Sequence, residues 1–191
     1  METLILNASS LELTENEFFN LCKDNDWLRF ERTAEKQILI MTPSGLETSK
    51  RNSEIAGQLW QWNKTKMLGY VFDSNSGFTL PNGAVRAPDA SWILKERYDI
   101  LDEEEKEKFA HICPDFVVEL MSKSDNLKTL MLKMEEWIQN GCKLGWLINP
   151  KNQEVFIYKS DGSVTAIKGF DQIVSGEEVL PGFELELYSL R

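Results

Sequence analysis

Residues 115–121, DFVVELM, form a continuous apolar run with one acid in its interior, Glu119. Runs without polar alternation are strands covered on both faces, so this chain must build a sheet with layers on either side. Glu119 then stands where an ionised carboxylate costs several kcal/mol unless it is paired or metal-bound. Two readings are open: a buried salt bridge, or a metal ligand or general base at the mouth of the sheet.

The surrounding pattern supplies the layers. Thr14, Glu15, Asn16 and Glu17 spell a capping box and predict a short helix over 14–25. Segments 28–32 and 37–42 read as strands around a turn at Ala34 and Glu35, and Pro43, Ser44 and Gly45 then break the chain. Ile55, Leu59 and Trp62 form an apolar stripe that predicts a helix over 52–66, ended by Gly69. From 70 to 94 short strands alternate with turn residues, the last strand covering 89–94. The charged stretch 95–110 reads as a surface loop or short helix. Leu127, Leu130, Met131, Met134, Trp137 and Ile138 predict a helix over 125–140, with Ser124 as its N-cap and Gly141 just past its end. Strands are expected over 144–148, 154–158, 163–167 and 183–187. This order predicts an α/β (mixed α+β) fold. It has a mixed central sheet flanked by helices, in a single domain over 1–191, with the N-terminal helix packed on the core.

Composition narrows the chemistry. The net charge of −10 argues against nucleic-acid affinity from bulk charge, so any such role needs a local site. Three Cys (Cys22, Cys113, Cys142) without CxxC spacing exclude a Cys-based zinc site, and a single His, His111, excludes a multi-His cluster. The N-terminus lacks signal-peptide character and no apolar stretch is long enough to span a bilayer. A cytoplasmic protein with reduced thiols and no membrane partner is therefore expected. No glycine-rich phosphate loop is present.

A second acid shares the placement of Glu119. Asp89 follows Pro88 and opens the strand DASWIL. Alone, such a pair is an ordinary turn. Beside Glu119, two strands could bring two carboxylates onto one divalent ion, an arrangement that magnesium favours. Asp115 also follows a proline, but it lies about 13 Å from Glu119 along one strand. It cannot share an ion with Glu119 and is expected to be structural.

The runs GFTLPNGAVRAPDASWI, CPDFVVELMSKSD, KMEEWIQNG and GWLINP followed by EVFIY resemble, in that order, the Uma2 (DUF820) family of the PD-(D/E)XK, restriction-endonuclease-like superfamily. The resemblance spans about 28–188. It implies a restriction-endonuclease-like core and metal-dependent hydrolysis of DNA phosphodiesters, with Mg2+ or Mn2+ as cofactor. DNA is the implied substrate, and room is left for a homodimer. Carried over, Asp89 matches the PD aspartate and Glu119 the (D/E) position. Position 121, where the superfamily carries its Lys, holds Met121. Lys133 in KMEEW matches the Lys that recurs in Uma2 proteins, and Glu54 resembles the acid many superfamily members carry on an earlier helix. The implied catalytic set is Asp89, Glu119 and Lys133. Asp89 and Glu119 would hold the metal, with Glu54 as a further ligand or an ordinary helix acid.

On a helical wheel Lys133 lies at the edge of the apolar face, beside Leu130 and Trp137, from where its ammonium can reach the sheet. Lys128 flanks the other edge, and the resemblance chooses Lys133. Replacing Lys133 by Ala should then cut turnover while leaving stability almost unchanged. Lys50, Arg51, Lys123, Lys128 and Lys133 are candidates for a basic rim. The rival reading is a catalytically inactive nuclease fold kept as a binding or structural module, with Met121 as a sign of decay.

Overall fold

The computed structural model describes residues 3–191. β1 (Thr3–Asn7) leads through a 3-10 turn to α1 (Glu15–Asp24). β2 (Arg29–Arg32) and β3 (Gln37–Met41) precede α2 (Leu46–Lys66). Next come β4 (Gly69–Phe72), β5 (Phe78–Thr79), β6 (Val85–Arg86) and β7 (Ala90–Leu94). Two short helices, α3 (Lys95–Asp99) and α4 (Glu103–Lys106), lead to β8 (Phe116–Leu120), α5 (Leu127–Gln139) and β9 (Leu144–Asn149). β10 (Glu154–Lys159), β11 (Val164–Lys168), β12 (Ile173–Ser175) and β13 (Glu184–Glu186) finish the chain before a last 3-10 turn.

The fold is mixed α/β, as the sequence pattern predicts, but the strands divide between two large sheets. One has the order β11-β10-β9-β8-β7-β4, the other β1-β3-β2-β6-β5, and β12 pairs with β13 alone. The division follows from which apolar face the β2–β3 hairpin buries. Ile38, with Phe30 and Ile40 beside it, packs on Phe18 of α1 rather than on β8. In the six-stranded sheet β8 and β9 run parallel, joined by the α5 crossover, and the other pairs are antiparallel.

β8 is buried along its whole length and lies inside its sheet. Its alternation decides both layers. Phe116, Val118 and Leu120 share a cluster with Ile55, Leu59 and Trp62 of α2. Val117 shares the other with Met134 and Trp137 of α5. Each large apolar side chain buried this way contributes about 1.5–3 kcal/mol.

Several boundaries differ from the sequence reading. α2 starts at Leu46, well before residue 52, because its first turns carry no buried residue and so leave no apolar period to detect. It ends at Met67, whose backbone is left-handed with φ 53°. Gly69 instead opens β4, where a Cβ would run into the Ile93 carbonyl and the Trp92 ring. Asn126, not Ser124, caps α5, accepting the Thr129 N–H at 3.3 Å. β1 and β12 have no counterpart in the sequence reading. The capping box on Thr14 and Glu17 is present, and Gly141 follows α5 with φ 106°. Cys22, Cys113 and Cys142 are free thiols. Among the described residues no helix is long and apolar enough to cross a membrane.

Asp115 is bound at the start of β8 by Arg97 (2.9 Å), Lys143 (2.8 Å) and the Leu94 N–H (2.9 Å). Burial opposes its charge, but the Leu94 N–H, Lys143 and Arg97 outweigh burial and hold the carboxyl below its ordinary 3.8. A depressed folded pKa means the ionised acid stabilises the fold above that ordinary value and ceases to do so as pH falls below it. Asp115→Asn should therefore cost about 1.5–3 kcal/mol at neutral pH, the scale of bonds to a charged group. Urea titrations should show the gap to wild type closing as the pH drops below 3.8. A gap that is constant with pH would show that the carboxylate is not what stabilises this corner.

Candidate active site

Period-two alternation turns Glu119 to the same face of β8 as Val117, the face that α5 covers. β7 runs antiparallel beside β8 with Ala90 paired to Val118, so one step further Asp89 comes alongside Glu119. The Leu120 N–H donates to Asp89 Oδ2 at 2.8 Å, so β8 itself holds the neighbouring acid. Asn52 of α2 donates to Asp89 Oδ1 at 3.0 Å, and Arg29 of β2 stands 3.9 Å from the same oxygen.

Glu119 is 4% exposed. Its Oε1 accepts the Trp137 Nε1–H at 2.9 Å and pairs with Lys133 Nζ at 2.8 Å. Trp137 and Lys133 are i+4 and i on α5, one above the other on the face that packs over β8. Among the described residues no bond to Oε2 of Glu119 is seen, and the side chain borders an open cleft. Lys133 also donates to Glu31 Oε1 at 2.8 Å. Glu31, 2% exposed on β2, further accepts from Arg86 Nη1 and the Ala87 N–H, both at 3.1 Å. Arg86 Nε goes on to Glu136 Oε2 at 2.6 Å. A continuous charged chain thus runs Glu119–Lys133–Glu31–Arg86–Glu136.

The environments push the acids apart. Burial raises the Glu119 carboxyl to about 7, against the pull of Lys133 and with the push of the Asp89 and Glu31 charges. Burial also raises Asp89, opposed by the Leu120 N–H, Arg29 and Lys133. For Glu31 burial is outweighed by Lys133 and Arg86, and its carboxyl sits below the ordinary value. For Lys133 burial is outweighed by Glu119 and Glu31, which keep it protonated.

These groups line a cleft of about 740 Å³ between α5 and one face of the five-stranded sheet. Its walls carry six carboxylates (Glu31, Glu35, Asp89, Glu119, Asp125, Glu136) and three cations (Arg29, Arg86, Lys133). Each cation already faces an acid. A polyanion entering here would meet an excess of negative charge.

Of the residues singled out by sequence, the structure brings Asp89, Glu119 and Lys133 together. It does not bring Glu54. Glu54 bonds Gln58 at 2.9 Å and borders another surface cleft with Gln61 and Glu186. The α2 residue that reaches the site is Asn52, and two positions along a helix turn the side chain about 200° away. Lys128, the rival of Lys133, is exposed, as are Lys50 and Lys123. Arg51 is held by the Leu190 carbonyl and Glu47. None of these four lines the cleft. Sequence reasoning missed Glu31, Arg86, Glu136 and Asn52. Glu31 sits in RFER, where alternating polar residues are the ordinary sign of a solvent face.

Among the described residues no group of three or more His, Cys, Asp or Glu is arranged to hold a metal ion. Magnesium does not need three: it takes one or two carboxylates and fills the rest of its octahedron with water and phosphate oxygens. Asp89 and Glu119 could supply that donor set, and the acid excess around them is what a divalent cation would neutralise.

The Uma2 family model, described as "Putative restriction endonuclease", matches residues 15–188. No curated protein matches the chain. Among solved structures, the chain is similar to a protein of Anabaena variabilis ATCC 29413 described as "a putative nuclease belonging to DUF820". The two share 21% identity with a TM-score of 0.77, over 93% of this chain and 97% of that one. At that identity the likeness speaks for the fold.

Proposed function

The chain belongs to the Uma2 family, and on that premise we propose that it is a metal-dependent endonuclease hydrolysing DNA phosphodiester bonds. The observation that carries the reading is the pair Asp89, just before β7, and Glu119 on β8, side by side, with Lys133 on Glu119 Oε1 at 2.8 Å. The Lys absent at Met121 is supplied in space from α5.

Asp89 and Glu119 would hold a Mg2+ or Mn2+ ion, which when bound polarises the scissile phosphate and acidifies a water. The chain's own residues do the rest. The Leu120 N–H and Asn52 fix Asp89, and Trp137 fixes Glu119, so neither acid must be ordered when substrate arrives. Lys133 keeps its proton and offers an ammonium at the cleft wall, placed to offset charge that grows on the phosphate. Glu31, itself held by Arg86, keeps that ammonium in register.

Incubation of the purified protein with plasmid and linear DNA, with Mg2+, Mn2+ or a chelator, tests the reading. Cleavage that requires the divalent ion is expected. Intact DNA under every metal condition would overturn it and leave a nuclease fold kept for binding.

A further inference from the structure

We infer that Arg29 is a substrate-binding residue of this site, a guanidinium that turns from Asp89 to a phosphate of the nucleic acid once that carboxylate holds a divalent ion. The inference rests on the nuclease reading and adds to it a group that grips DNA only in the ion-loaded protein.

The three cations of the cleft are not held alike. Lys133 lies 2.8 Å from an oxygen of Glu31 and from one of Glu119. Arg86 gives its Nε to Glu136 at 2.6 Å and its Nη1 to Glu31 at 3.1 Å. Arg29 has no such ties. Among the described residues it faces Asp89, with Nη1 3.9 Å from Oδ1, beyond hydrogen-bond reach. Its Nε is buried without a hydrogen-bond partner. A buried donor left unmade costs stability, so the guanidinium stands here without a bond in the fold that requires it.

Its place is set by β2. Arg29 and Glu31 are two residues apart and so share one face of the strand. Both line the cleft, and the Arg29 side chain is 21% exposed. That face sets Arg29 against Asp89 and Glu31 against Lys133. Asp89 does not need Arg29 for its position. The Leu120 N–H donates to its Oδ2 at 2.8 Å and the Asn52 amide to its Oδ1 at 3.0 Å. Arg29 adds charge alone.

Asp89 can answer one counter-charge at close range. If it ligates an ion, Arg29 loses the acid it faces and remains beside the phosphate that the ion would draw in. Its planar fork matches two phosphate oxygens, which a lone ammonium cannot do. The exchange also suits the charge of the cleft, where six carboxylates stand against three cations. Ion binding adds two positive charges and releases a third.

Equilibrium binding of a short duplex oligonucleotide over a series of salt concentrations tests this apart from cleavage, with Ca2+ as the oxygen-seeking ion. In Ca2+, Arg29→Gln should bind about 10-fold or more weakly than wild type, the scale of a hydrogen bond to a charged group. Its slope of log affinity against log salt should shrink by about 0.9, the value of one lost phosphate contact. With a chelator the two proteins should bind alike, because Arg29 is then occupied by Asp89. Mn2+ affinity without DNA should be unchanged or higher in Arg29→Gln, since a competing cation is gone. A fall in Mn2+ affinity with the salt slope unchanged would make Arg29 a residue that serves Asp89, and would overturn the inference. An equal loss of DNA affinity with and without the ion would overturn it as well. A wild type that binds and cuts DNA beside an Arg29→Gln protein of full affinity sinks this inference and leaves the nuclease reading standing. A wild type that neither binds nor cuts sinks both. Should Arg29→Gln fail to fold, the guanidinium resonances of Arg29 in the wild type decide. A shift on adding the oligonucleotide that requires Ca2+ supports the inference, and no shift overturns it.

Discussion

Lys133→Ala is expected to destabilise the protein by about 3–5 kcal/mol, the usual cost of removing one partner from a buried ion pair. The helical wheel alone predicts almost no change, because it places Lys133 at an edge from which its head could reach water. The structure puts that head between Glu31 and Glu119, 2.8 Å from an oxygen of each. Without it two buried carboxylates face each other with only Arg86 to compensate Glu31. Lower pH should recover part of the loss, since Glu119 titrates near 7 and protonation removes one of the two charges. DNA cleavage should fall as well, by about 10²-fold or more, on the scale of one lost transition-state contact. Urea unfolding and single-turnover cleavage report the two effects separately. A stable Lys133→Ala protein would show that the Glu31–Lys133–Glu119 triad is not formed in solution. Full cleavage by that protein would remove Lys133 from the chemistry.

Asp89→Asn and Glu119→Gln should each abolish cleavage, with a loss of about 10³-fold or more. Each removes half of the protein's anionic donor set, and a divalent ion supplies several kcal/mol of charge stabilisation at 1.36 kcal/mol per tenfold in rate. The folds should survive. Burial already disfavours the charged form of both acids, so a neutral amide relieves a cost that ionisation imposes. Calorimetric titration with Mn2+ is the direct measurement, and saturable binding should vanish in both variants. Unchanged Mn2+ affinity in Asp89→Asn would end the shared-ion reading, whatever happened to cleavage.

A divalent ion held by Asp89 and Glu119 would also answer the charge objection raised by the sequence. A net charge of −10 calls for a basic rim, and Lys50, Arg51, Lys123, Lys128 and Lys133 are where the sequence would put it. Of these five only Lys133 lines the cleft, whose three cations are already matched to acids. DNA affinity is therefore expected to depend on the divalent ion itself rather than on a ring of free lysines.

What the sequence determined by itself was local. The apolar run 116–121 fixed a buried central strand, since nothing else absorbs five apolar residues around one interior acid. The 3.6-residue period fixed α5, and the Thr14–Glu17 capping box fixed the start of α1. Glu119 was legible because a charge in a buried strand is anomalous on its own. Asp89 was legible only beside it. Tertiary structure decided everything that depends on which surfaces meet. Glu31 lies in a strand of ordinary polar alternation, and it became a site residue because the β2–β3 hairpin turns that face toward α5. Glu54 and Asn52 exchanged places because helix phase relative to a partner is not written in the helix. β1 left no amphipathic signal because all five of its residues are exposed, so neither face is marked by burial. The position of Lys133 was in the sequence, but its two carboxylate partners come from strands far apart in the chain. Only their convergence turns a surface lysine into a buried ion.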